Sequence, residues 1–277
     1  MSIQLKKLGE KHIEVAGIIH NLGALHSVMG NHQQAKEYYE RALSIQLKKL
    51  GQEHTDFART LHNFRNLHSA MGKHQQAKEY YERALSIQLK NLGPEHTDVA
   101  RTLHNLGNLH DATGNHQQAK EYYEHALFIQ LKKLGREHTD VASTLHNLGN
   151  LHKAMGNHQQ AKEYYERALS IQLKKLVEEH IEVAGTIHNL GVLHSVIGNH
   201  QEAKEYHERA FSIQLKKKLG EQHTDVARTL HNLRNLHDSM GNHQQAKEYY
   251  ERALSMQLKK LGEEHTGVAR TPLPQVR

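Results

Sequence analysis

Apolar residues in this chain fall into two kinds of stripe that alternate along the sequence. Between Thr97 and Thr113, Val99, Leu103, Leu106, Leu109 and His110 recur at steps of three and four, which places them on one side of a helix. Between His116 and Leu134, Ala119, Tyr123, Ala126, Leu127, Ile129 and Leu134 form a second such stripe. Thr97 and Asp98 predict an N-cap and an acidic first turn for the first helix. Gly114 predicts the left-handed residue that ends the first helix, and Gly135 closes the second. Lys120 and Glu124 form an i,i+4 pair on the outward side, and Lys132 and Lys133 suit the negative end of the second helix. No stretch shows sustained two-residue alternation, so no strand is predicted.

This two-helix unit repeats. The histidine of a Leu/Ile-His-Asn motif stands at His20, His62, His104, His146, His188 and His231, at steps of 42, 42, 42, 42 and 43 residues. The longer last step reflects an extra lysine within Lys216–Lys218. A fixed period in this range is the signature of a repeat architecture. Neither helix can bury its stripe alone, whereas stacked hairpins bury a continuous core. The fold class expected is therefore all-α, a right-handed α-solenoid of antiparallel helix hairpins spanning residues 1–270 as one domain. The helix pairs are expected at about 12–51, 54–93, 96–135, 138–177, 180–220 and 223–262. Residues 271–277, with Pro272 and Pro274, are expected to be a disordered tail.

Half units flank the six full ones. The chain starts on the tail of a second helix and ends on the start of a first helix. A longer period overlies the short one: His12–Gly17 recurs as His180–Gly185, and Arg65 recurs as Arg234. These features suggest a slice of a longer array, or ends that stack on another copy through apolar residues such as Leu5, Leu8 and Val268.

Composition narrows the function classes. A mean hydropathy of −0.78 is low for one deep core but suits a thin, layered protein. The absence of cysteine excludes disulfides and thiolate chemistry and fits a reducing compartment, so a cytoplasmic location is expected. No apolar run is long enough to span a membrane, and residues 1–10 lack the apolar segment of a secretory signal. The net charge of +6 raises the question of nucleic acid. The excess, however, sits mainly in Leu-Lys-Lys-Leu at the ends of second helices, and stacking aromatics are missing from the first helices, so no nucleic acid partner is expected.

Histidine is the one abundant chemical group, with 27 residues, of which His125 and His207 lie off the repeating places. A metal needs three or four ligands converging on one point, whereas His104 and His110, six residues apart, diverge around a helix by about 240°. No metal and no cofactor are expected. Charging half-buried histidines such as His110 is expected to destabilise the stack in acid. The glycines lie at turns and no phosphate-cradling motif occurs, so no catalytic residue is proposed and the chain is not expected to be an enzyme.

The unit resembles the tetratricopeptide repeat. In the third copy its signature places fall on Leu103, Leu106-Gly107, His110, Ala119, Tyr123 and Ala126. The period and the linker Leu92-Gly93-Pro94-Glu95-His96-Thr97-Asp98-Val99-Ala100 resemble the 42-residue variant of kinesin light chains and nephrocystin-like proteins. Departures are His26, His68, His110, His152, His194 and His237 where the family often has tyrosine. Arg65 and Arg234 replace a small glycine, and Val177 replaces the linker glycine.

The resemblance implies a protein–protein interaction scaffold whose first helices line a concave groove that holds an extended peptide. Arg101, Asn105 and Asn108 form a polar row on the first helix, apart from the apolar stripe. By position, the implied peptide-binding residues are Asn21, Asn63, Asn105, Asn147, Asn189 and Asn232, a second row of Asn66, Asn108, Asn150 and Asn235, and Arg59, Arg101 and Arg228. Ala24 and Val192 break the second row; Gly17, Ser143 and Gly185 stand where the other copies have arginine. An asparagine amide both donates and accepts, which suits a peptide backbone. Arginine adds bidentate pairing to a carboxylate, so the partner expected is a protein or peptide, including one with an acidic linear motif. The carboxylate clamp of chaperone-binding relatives is incomplete here. The alternatives are a self-associating spacer and an RNA-binding helical repeat.

Overall fold

In the computed structural model, the described residues are 13–51, 54–177, 180–216 and 224–264. The half units at 2–9 and beyond 264, and the tail at 271–277, lie outside them. Two compact units divide the chain, residues 1–136 and 137–277.

The first unit holds α1 (Ile13–Val28), α2 (His32–Leu50), α3 (Thr55–Ala70), α4 (His74–Leu92), α5 (Thr97–Ala112) and α6 (His116–Leu134). The second holds α7 (Thr139–Ala154), α8 (His158–Lys175), α9 (Ile181–Val196), α10 (His200–Lys216), α11 (Thr224–Ser239) and α12 (His243–Glu264). In each unit the helices pair as consecutive hairpins, and the second helix of one hairpin packs on the first helix of the next. The all-helical hairpin architecture agrees with the periodicity.

Local chemistry sets the helix ends. Gly114 and Gly135 adopt φ of +78° and +84°, a positive-φ backbone that glycine takes without a Cβ penalty. Val177 cannot adopt it cheaply. There α8 stops at Lys175 and Leu176 turns extended, with φ −112° and ψ 154°.

The helix start differs from expectation. The N-cap of α5 is His96, not Thr97: its backbone is extended and its Nδ1 accepts the Asp98 N–H at 3.1 Å. His54, His138 and His180 do the same with Asp56, Asp140 and Glu182. An imidazole nitrogen here performs the task usual for Asp or Ser, satisfying an orphan helix donor.

Four of the hairpins close on a glycine, at Gly23, Gly107, Gly149 and Gly191. A Cβ placed on Gly107 or Gly149 would lie 2.6 Å from the ring of Tyr123 or Tyr165. Both rings are fully buried under that helix crossing. In the sixth unit Arg234 occupies the glycine's place, Tyr250 is 53% exposed, and the guanidinium stands 5.8 Å from its ring centre. Tyr81 stays buried.

Candidate peptide-binding face

The first helices carry every residue implied in binding, and the structure divides them into two kinds. Arg59 and Arg101 are exposed on α3 and α5. Each is held by a carboxylate one turn back: Arg59 reaches Asp56 at 2.9 Å, and Arg101 pairs with Asp98. These guanidiniums are oriented, not free. They border an open cavity of about 350 Å³ in the first unit, with His62, Gln88, His96 and Leu92 also on its wall. Arg228 is exposed on α11 in the second unit.

The first asparagine row does not simply face away from the packing, as a single-helix view predicts. Asn63 Nδ2 lies 3.2 Å from Nε2 of His20, in the preceding hairpin. The other nitrogen of His20 lies 3.0 Å from Thr60 Oγ1. That hydroxyl donates to the Asp56 carbonyl at 3.2 Å, so it accepts from His20 Nδ1–H, and His20 Nε2 is left to accept from Asn63. One histidine is thus clamped between a threonine and an asparagine of the next first helix.

The second unit repeats this clamp twice. His146 meets Thr186 at 2.9 Å and Asn189 at 3.3 Å, and Thr186 donates to the Glu182 carbonyl. His188 meets Thr229 at 3.0 Å and Asn232 at 3.4 Å. Asn63 and Asn232 therefore each spend one amide N–H on holding repeats together, and Asn189 spends both, the second on Asn150. Asn21 is exposed, and Asn105 and Asn147 are half-buried. The side-chain amide of Asn105 has no hydrogen-bond partner among the described residues.

The second row is also partly structural. Asn108 accepts from the buried Tyr123 hydroxyl at 2.6 Å, and Asn150 accepts from Tyr165 at 2.7 Å and from Asn189 at 3.0 Å. Asn235 is exposed and donates to His231 at 3.0 Å. The side chain of Asn66 lies outside the described residues.

Burial keeps the clamped histidines neutral. It pushes His146 down to about 4. Burial, with the positive fields of His207, Arg228 and Lys153, pushes His188 down to about 3. His20 is lowered by burial and by Arg59, with Asp56 opposing. A second set, His110, His194 and His237, packs against Tyr122, Tyr206 and Tyr249 at 5.2–5.4 Å between ring centres. These too are lowered, chiefly by burial. Among the described residues no group of three His, Asp or Glu is placed to hold a metal ion. No described helix is long and apolar enough to cross a membrane.

The clamp was missed in the sequence, although Thr-Leu/Ile-His-Asn recurs there with threonine and asparagine three residues apart on one helix face.

The tetratricopeptide repeat pattern matches residues 14–90, 56–132, 121–174 and 182–271. Comparison with curated proteins gives no match. Among solved structures, the chain is similar to a Podosopora anserina putative kinesin light chain with nearly identical TPR-like repeats. That likeness has 32% identity and a TM-score of 0.63, and covers 76% of this chain and 99% of that one. BtubC (BKLC) from P. vanneervenii shares the fold at 24% identity and a TM-score of 0.69, over 92% of this chain and 97% of that one. The apo form of RapI shares it at 20% identity and a TM-score of 0.68, over 93% and 89%.

Proposed function

The chain belongs to the tetratricopeptide repeat family, a family of protein-interaction scaffolds, and from that premise we propose that its first-helix face holds an extended peptide segment of a partner. The observation that carries this reading is the group formed by Arg101 and Asn105. The guanidinium is exposed and oriented by Asp98 at the rim of a cavity. One turn on, the amide of Asn105 is unspent among the described residues. A peptide backbone supplies both partners that such an amide wants, and a carboxylate suits the guanidinium pair Arg59 and Arg101.

This narrows the binding set. Asn63, Asn189 and Asn232 act first as repeat-to-repeat clamps and offer a peptide what is left of their amides. Arg59, Arg101 and Asn105 carry the recognition in the first unit. In the second unit, Ser143 and Gly185 take the arginine's place in two of the three copies, so pairing to a carboxylate rests on the first unit.

The test is capture of partner proteins by the chain, beside a variant with Arg59→Gln, Arg101→Gln and Asn105→Ala. A control carries Lys120→Ala and Glu124→Ala on the outer side of α6. Loss of specific partners from the first variant alone supports the reading; equal retention by all three chains overturns it.

A further inference from the structure

The fifth copy departs from its neighbours at two places that, in those neighbours, touch. Tyr123 and Tyr165 occupy one place on the second helix; in α10 it is His207. Asn108 and Asn150 occupy one place on the first helix; in α9 it is Val192. In the third and fourth copies the phenol hydroxyl donates to the asparagine, at 2.6 and 2.7 Å. Asn150 is also a node, since it accepts a second N–H from Asn189 at 3.0 Å. In the fifth copy both halves of the node are gone.

What remains is unsatisfied. His207 is 0% exposed, and neither ring nitrogen has a hydrogen-bond partner. The direction of its ring follows from the glycine beneath it. A Cβ on Gly191 would lie 2.8 Å from Cε1 and Nδ1 of His207, just as one on Gly149 would lie 2.6 Å from Cδ1 and Cε1 of Tyr165. The two rings present the same edge, so Nε2 lies at the outer tip of the shorter ring, on the side towards the place the phenol hydroxyl takes in the fourth copy. A cavity of about 300 Å³ opens beside it, lined among others by Val192, Ser195, Val196, His207, Asn232 and Leu236.

The polar groups around this cavity define a complement. Ser195 Oγ donates its hydrogen to the Gly191 carbonyl at 3.0 Å, so towards the cavity it can only accept. Asn232 gives one amide hydrogen to His188. It lacks the second acceptor that its counterpart Asn189 finds in Asn150. Val192, Val196 and Leu236 supply an apolar wall. Water would serve the polar groups and leave that wall wet. A phenol is too bulky, because the His207 ring still fills the inner half of the tyrosine's space.

We infer that this cavity takes a primary carboxamide on a short apolar stem, namely the glutamine side chain of a bound segment; that source rests on the peptide-binding reading above. The carboxamide carbonyl replaces Asn150 as acceptor for the Asn232 N–H. Its NH2 donates to Ser195 Oγ. Because a carboxamide both donates and accepts, it also serves His207 Nε2 in either tautomer. The stem lies on the two valines and Leu236. Such a pocket, mostly apolar with a few placed polar groups, is the usual form of a side-chain or small-ligand site.

The experiment titrates the full chain with propionamide, and with propionate as the acid of equal size, while nuclear magnetic resonance follows the Asn232 side-chain amide and the His207 ring. A variant combining Val192→Asn and His207→Tyr copies the pairing already present in the third and fourth copies, and its thermal midpoint is expected to rise. The expected result is saturable shifts at both residues with propionamide, weaker shifts with propionate, and none in the variant. No saturable shift, as for a cavity holding water only, or equal shifts in parent and variant, overturns the site. Blocked glutamine binding several-fold tighter than propionamide supports the side chain as the source; equal affinity overturns that source. None of these readouts needs a partner protein, so failure of the peptide-binding reading leaves the propionamide result standing.

Discussion

His188 of one repeat and Thr229 of the next are joined by a 3.0 Å contact between Nδ1 and Oγ1, with both residues buried. The same pairing joins His20 to Thr60 and His146 to Thr186. It is a bond between repeats, made by the motif that most visibly marks the repeat. Thr229→Val removes the acceptor and leaves a buried N–H unpaired, which costs about 1–3 kcal/mol. His188→Phe in addition removes the donor and should recover much of that loss. A double-mutant cycle by urea unfolding checks this; additive losses would show that the two side chains do not interact.

Acid should weaken the fold through these same groups. Burial holds His146 and His207 near 4 and His188 near 3, below the ordinary 6.5. Depressed folded-state values mean that the unfolded chain binds protons first. Their contribution is therefore complete above about pH 6.5 and is lost as the pH falls from there through 4 towards 3. In that window each such group adds a slope of about 1.4 kcal/mol per pH unit. The groups that face them, Lys153 and Arg228, are positive and work in the same direction. Thermal midpoints between pH 8 and 4 check this, with His188→Phe expected to flatten the curve. A midpoint that does not fall below pH 6 would contradict it.

Two glycines on first helices should respond in opposite ways to alanine. Gly149→Ala places a Cβ 2.6 Å from the buried Tyr165 ring, an overpacking that costs about 1–3 kcal/mol. Gly17→Ala meets nothing within 4 Å and lies inside α1, so it should stabilise by up to about 1 kcal/mol. Chemical denaturation of the two variants separates the outcomes by sign.

The histidine caps give a test of local structure. His138→Ala removes the acceptor for the Asp140 N–H and should cost about 0.5–2 kcal/mol, while His138→Asp should retain most of the cap. Equal losses in the two variants would show that the imidazole packs there without capping.

The hairpins were legible in the sequence because their signals are local. The stripe of Val99, Leu103 and Leu106 and the glycines at 114 and 135 depend on neighbours within a few residues. The cap was misplaced onto Thr97 because histidine has no strong N-cap preference, and only the geometry of His96 reveals its accepting nitrogen. The second role of the asparagine rows is hidden in the sequence for a different reason. A single helix shows Asn63 and Asn189 on a polar side, but it cannot show a histidine 43 residues away reaching across to them. The pair His207 and Val192 was visible as two separate departures. Their connection required the contact between Tyr165 and Asn150, which the sequence does not display.

On the reading proposed above, the first-helix face both ties the repeats together and receives a partner segment around Arg101 and Asn105. The most direct measurement selects a binding peptide from a library of short linear sequences and follows the Asn105 side-chain amide by nuclear magnetic resonance as that peptide is added. Saturable shifts are expected at Asn105 and Arg101, with little change at Lys120 on the outer side of α6. Shifts centred on Lys120 with Asn105 unmoved would place the partner on the opposite face and contradict it.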